Sequence, residues 1–149
     1  MRSYQTSVKL TRVVTWGIAA LMLVLVVFFP TMTEYYHQNF RPLAEDTRWA
    51  LLRAFYACAV AVLIALWHMD RLLRNISREI LFTMENVRHI KAVRWCCLAV
   101  SLLCLTAALG FPSLFFASAI MIFLCLVVTV VGRVMESAVA LREENDLTV

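Results

Sequence analysis

Residues 93–134 read VRWCCLAVSLLCLTAALGFPSLFFASAIMIFLCLVVTVVGRV, two apolar runs divided by Gly110-Phe111-Pro112-Ser113. A helix needs about 20 mostly apolar residues to cross a hydrocarbon core about 30 Å thick. The second run, Leu114–Val134, meets that length with no Asp or Glu inside it. The Gly-Phe-Pro-Ser turn leaves room only for a reversal of direction, so Val93–Phe111 must return beside its neighbour as an antiparallel hairpin. If the second run crosses a bilayer, the first crosses it too. That coupling decides the fold, because Val93–Phe111 taken alone is diluted by Ala, Cys, Ser101 and Thr106 and resembles a buried helix of a soluble protein.

Two further runs precede this hairpin. Val13–Phe29 contains eleven Val, Ile, Leu or Phe residues and is closed by Pro30, which does not continue a helix comfortably. Trp49–Met69 is the other, and Arg53, Arg94 and Arg133 are the only charges that enter any span. Each lies near a segment end, where a long basic side chain reaches back to the headgroups. After Phe29 the chain continues Pro-Thr-Met-Thr-Glu without a small-x-small cleavage site, so the first span is expected to be retained. The whole chain then forms a single integral membrane domain over residues 1–149.

Composition agrees. Hydrophobic residues make up 62% of the 149 and charged ones 16%, where soluble domains carry about a quarter charged. Mean hydropathy is +0.79. The formal charge of +4 does not point to direct nucleic-acid binding, because the basic residues cluster beside the apolar runs. The five cysteines, Cys58, Cys96, Cys97, Cys104 and Cys125, are odd in number and fall in or beside those runs. They read as small, polarisable packing residues and not as a disulfide framework.

Charge asymmetry sets the orientation. Eleven of the fourteen Lys and Arg residues fall on one side of a four-span arrangement. They are Arg2, Lys9 and Arg12 in the first segment, Arg71, Arg74, Arg78, Arg88, Lys91 and Arg94 between spans two and three, and Arg133 and Arg142 in the last. Positive residues mark the cytoplasmic face. The expected cytoplasmic segments are therefore 1–12, 70–92 and 135–149, with both termini inside. The loop Pro30–Arg48 lies outside and carries Tyr35, Tyr36, His37 and Phe40, read with Trp16, Trp49, Trp67 and Trp95 as interfacial anchors.

Small residues recur at helical spacing: Ala54, Ala57, Cys58, Ala61 and Ala65 in span two, Cys97, Ser101, Cys104 and Ala108 in span three, Ser118, Cys125, Thr129 and Gly132 in span four. They let backbones approach closely where no hydrophobic force drives helices together. The expected fold is all-α, an antiparallel four-helix transmembrane bundle with crossing angles near +20°, and the same stripes fit a homo-oligomer. Leu72, Ile76, Ile80, Met84 and Val87 carry helical periodicity across the cytoplasmic stretch. Span two is expected to continue to about Ile80 and span three to begin near Met84, with Thr83 as its N-cap and Glu85 in its first turn. Helix four is expected to continue past Val134 through Leu141.

Leu81-Phe82-Thr83-Met84-Glu85-Asn86-Val87-Arg88 and Leu141-Arg142-Glu143-Glu144-Asn145-Asp146-Leu147-Thr148-Val149 resemble the two signature boxes of a family of small four-span bacterial membrane proteins, domain of unknown function 2975. The likeness runs from the first span to the last residue, with Leu81 where members usually have proline. The resemblance implies a bacterial plasma-membrane location and gene neighbourhood with a small helix-turn-helix regulator of the Cro/C1 type. It brings no activity and no functional residues.

For chemistry, His68, His89, Cys96 and Cys97 gather near the cytoplasmic surface, but their spacing matches no metal pattern. No Ser-His-Asp array, phosphate loop or nucleotide fingerprint is present, so no enzyme and no cofactor are expected. Asn75-Ile76-Ser77 is a glycosylation sequon on the wrong side of the membrane to be used. Arg53 is expected to pair with Glu34 or Glu45. The candidate interaction surface is Thr83, Glu85, Asn86, Arg88, Arg142, Glu143, Glu144, Asn145 and Asp146, with the terminal acids reaching Arg74, Arg78, Arg88 or Lys91. Two functions compete: a membrane-held regulator or sensor acting on a cytosolic partner such as that regulator, and a small transporter or channel subunit.

Overall fold

The computed structural model describes residues 2–39, 44–77 and 83–147. They form four helices and no strand: α1 (Arg2–Asn39), α2 (Glu45–Ser77), α3 (Met84–Ala107) and α4 (Ser113–Leu147). All four are long and apolar enough to cross a membrane. Between 6% and 17% of the most apolar window of each is buried inside the protein. Water would not tolerate that much bare Leu, Val and Phe, which suits a lipid surround.

Neighbours run antiparallel. Between α1 and α2, Arg12 meets Asp70, Tyr56 meets Val26, and Phe29 stacks on Phe55 with ring centroids 3.6 Å apart. Between α3 and α4, Lys91 meets Glu136 and Ser101 meets Ser118. The expected bundle is not a closed ring. Among the described residues the helices pack in chain order only, α1 on α2, α2 on α3 and α3 on α4. Two outer helices therefore have one packed side each. The central α2 buries residues against both neighbours, which explains why Ala59 is buried although it lies off the expected small-residue stripe, while Ala57 on that stripe is exposed.

The stripes of α3 and α4 meet as expected. Ser101 and Ser118 are each 1% exposed, and the Ser118 hydroxyl donates to the Ser101 carbonyl at 3.1 Å. A side chain at Gly132 would place its Cβ 3.1 Å from Ile90 Cγ2, tighter than ordinary contact, so glycine eases the close approach there.

Helix boundaries depart from expectation at two places. α1 does not stop at Pro30 but continues through it to Asn39, so Tyr35, Tyr36 and His37 lie on a helix and not in a loop. Proline at 30 removes the N–H that would bond the Val26 carbonyl. That carbonyl instead accepts the Tyr56 hydroxyl of α2 at 3.3 Å. A neighbouring helix thus satisfies what the proline exposes, the usual condition for proline inside an apolar helix. Tyr56→Phe is expected to cost about 1 kcal/mol, the upper range of such bonds, and close to nothing in a Pro30→Ala background where the N–H is restored. Unfolding of the four proteins in mixed detergent measures this; equal costs in both backgrounds would refute the pairing.

At the other end of the hairpin, α3 stops at Ala107 and a turn over 108–112 leads into α4, so the helix is shorter than the apolar run to Phe111. The extensions past the apolar runs are helical: α2 continues to Ser77, α3 begins at Met84, and α4 reaches Leu147. The expected end of α2 near Ile80 lies outside the described residues, as do Arg41, Arg78, Leu81, Phe82, Thr148 and Val149.

Candidate functional site

The helix extensions bring polar side chains together at the end of the protein that carries Asp70. Asp70 is 6% exposed and receives three donors. Arg12 Nε and Trp16 Nε1 of α1 reach Oδ1 at 2.9 Å and 3.2 Å, and Arg74 Nη2, one turn along α2, reaches Oδ2 at 2.8 Å. A buried carboxylate needs this saturation, because desolvation without partners is costly. The node ties α1 to α2.

A second group ties α2 to α3. Asn86 is fully buried, and its Oδ1 accepts the Asn75 side-chain amide at 2.8 Å. One helical level away, His68 Nδ1 and His89 Nδ1 stand 2.9 Å apart, so one ring donates and the other accepts. His89 Nε2 lies 3.7 Å from Glu85 Oε1, beyond a hydrogen bond. Lys91 of α3 pairs with Glu136 of α4 at 2.9 Å, continuing the tie outward.

Thr83 takes the N-cap position of α3 with extended backbone angles, and its carbonyl accepts the amides of Asn86 and Val87. The expected side-chain cap is absent. Its hydroxyl is buried with no partner among the described residues. Glu85 and Arg88 are exposed on the first turns of α3, and Asn86 points inward, so this part of the box divides into a buried anchor and an exposed face.

On α4, Arg142, Glu143, Glu144 and Asn145 are exposed, and the side chain of Asp146 lies outside the described residues. Ile90 faces Gly132 where α3 and α4 approach closely, so six residues further along each antiparallel helix Met84 stands level with Ala138, and Arg142–Asn145 continue beyond it at the same end of the protein. The expected ion pairs from the terminal acids to Arg74 and Lys91 are not what the structure places there. Arg74 is held by Asp70 and Lys91 by Glu136. Likewise Glu34 meets Arg48 at 3.8 Å, whereas Arg53 turns its Nε to the Trp49 carbonyl of its own helix.

Of the suspected metal constellation only the two imidazoles meet. Among the described residues no group of three or more His, Cys, Asp or Glu side chains is arranged to hold a metal ion. Sequence reasoning read Asp70 only as a charge flanking the membrane, Asn75 only as part of an unused sequon and Trp16 only as an interfacial anchor. The available signal was an acid four residues before Arg74 at the end of an apolar run, with a second arginine at the facing end of the first span.

No curated protein and no solved structure matches this chain. The family description "Protein of unknown function (DUF2975)" matches residues 35–149, which takes in both boxes and leaves most of α1 outside the likeness. With more than half of its length matched from the end of α1 through the terminal box, the chain belongs to that family.

Proposed function

We propose that this chain is a non-enzymatic, multi-pass protein of the bacterial plasma membrane, with both termini cytoplasmic, that acts through its cytoplasmic face on a soluble partner. The observation that carries the reading is the convergence of the two boxes at one end of the protein. There Glu85, Arg88, Arg142, Glu143, Glu144 and Asn145 are exposed above a frame of buried Asp70 and Asn86 with half-buried Asn75. A surface held by buried hydrogen bonds keeps its shape, and binding then costs little ordering.

A transport path is less well supported. Thr15, Thr33, Asp70, Asn86, Ser101 and Ser118 are the buried polar residues among those described, and each makes an internal hydrogen bond. Polar groups committed to internal hydrogen bonds serve packing, whereas a conducting site keeps ionisable groups free to exchange.

The partner class that fits is a small helix-turn-helix regulator of the Cro/C1 type, which the family's gene neighbourhood implies. The full chain in lipid nanodiscs should bind the regulator encoded beside its gene. Arg88→Glu combined with Glu143→Lys should raise the Kd at least about tenfold, the size of a modest interface hot spot. No measurable binding, or a Kd unmoved by the two reversals, refutes the reading.

A further inference from the structure

A cleft of about 320 Å³ opens between α3 and α4, lined by Ile90, Lys91, Arg94, Thr129, Arg133 and Glu136 together with Val128 and Gly132. Three cations and one acid face one cavity. Lys91 is spent on Glu136 at 2.9 Å. Arg94 and Arg133 make no ion pair among the described residues. The Arg94 guanidinium lies over the Trp95 ring, 5.6 Å from its centroid. The cleft is thus lined by two guanidinium groups, one from each helix, that no acid among the described residues pairs with.

Depth and shape narrow the ligand. Arg94 is the second residue of the apolar run Val93–Phe111, and Arg133 the penultimate residue of Leu114–Val134. In a spanning arrangement both stand where lipid phosphates lie, with Trp95 beside them at the interfacial level. Gly132 lets the helices approach closely at the cleft: a Cβ there would stand 3.1 Å from Ile90 Cγ2, tighter than ordinary contact. Val128, deeper in α4 than Arg133, supplies an apolar wall on the hydrocarbon side. Guanidinium forks match phosphate oxygens two at a time, and basic clefts between spanning helices hold anionic headgroups.

We propose that this cleft is a binding site for the phosphate of an anionic phospholipid, with Arg94 and Arg133 as its ligands and Glu136 restraining Lys91 from becoming a third. The site lies apart from the exposed boxes and does not depend on any soluble partner.

Native mass spectrometry of the full chain released from detergent tests it, with phosphatidylglycerol or phosphatidylcholine added. Phosphatidylglycerol should be retained in preference. Each basic residue at an anionic surface is worth about a factor of five, so Arg94→Gln with Arg133→Gln should weaken retention about thirtyfold, to the phosphatidylcholine level. Glu136→Gln should strengthen it about fivefold by freeing Lys91. Equal retention of the two lipids, or a double variant that behaves as the native chain, overturns the proposal. Should the double variant fail to fold, the Glu136→Gln arm decides, since unchanged or weaker retention there also overturns it. Excess inorganic phosphate should leave the lipid in place; displacement by it would mark a soluble-anion site and refute the lipid assignment.

Discussion

Asp70→Ala should be the most damaging single truncation at the α1–α2 contact, lowering stability by about 2 kcal/mol. The carboxylate is the common acceptor for Arg12, Trp16 and Arg74, so its loss strands three donors at once. Breaking a fully buried ion pair costs about 3–5 kcal/mol. The discount is required because the two arginine side chains are 43% and 41% exposed and can turn to water. Arg12→Ala and Arg74→Ala should each cost about half as much, since either one leaves the carboxylate with two remaining donors. The three variants should thus rank in that order in a detergent thermal melt, with the Asp70 variant about 4–8 °C below the native chain. A melt unchanged by Asp70→Ala would show that the node contributes nothing, and α1 would then be held by Phe29–Phe55 stacking, the Tyr56–Val26 hydrogen bond, the Glu34–Arg48 pair and lipid packing.

This node also shows where sequence reading stops. The four apolar runs were legible because each one carries its own signal, and the turn at Gly110–Ser113 coupled the weakest run to the strongest. The start of α3 at Met84 was legible for the same reason, an acid in the first turn after a capping residue. Asp70 was legible only as a charge at a membrane edge. Its partners Arg12 and Trp16 lie 58 and 54 residues away, and nothing local announces them. Arg12 serves two purposes at once: it marks the positive side of the chain and it neutralises a buried acid. Pro30 misled in the same way. A proline ends a helix where nothing replaces the lost hydrogen bond, and the replacement here is Tyr56, on another helix. The open packing order was likewise invisible, because small-residue stripes say that helices approach closely but not which ones.

The candidate surface divides along the same line. The exposed members Glu85, Arg88 and Glu143 were found because they sit in recognisable boxes. Asn86 was grouped with them, yet it is fully buried and bonded to Asn75. A polar residue inside a box can therefore be a strut and not a contact. This matters for reading variants: a loss of partner binding on changing Asn86 would report a deformed frame, whereas a loss on changing Arg88 with unaltered stability would report the surface.

Asn86 can be made to reveal its role by pH. Asn86→Ala removes the acceptor and leaves the Asn75 amide without its partner, which should cost about 2 kcal/mol at any pH. Asn86→Asp is nearly isosteric and keeps an oxygen for Asn75, so at low pH it should be close to the native chain. Above that, the introduced carboxyl must ionise at a position with no exposure to water. Burial favours its neutral form and raises its folded pKa above the unfolded value of about 4. The folded state then binds the proton more tightly than the unfolded one. Stability is therefore retained below about pH 4 and is lost progressively as pH rises toward the folded pKa, beyond which the penalty levels off. Stability differences from the native chain, taken pH by pH, measure the effect. At pH 8 the penalty for Asn86→Asp should exceed that for Asn86→Ala, and at pH 4 the order should invert. A pH-independent difference would mean that water reaches position 86, and the frame behind the two boxes would then be looser than its hydrogen bonds imply.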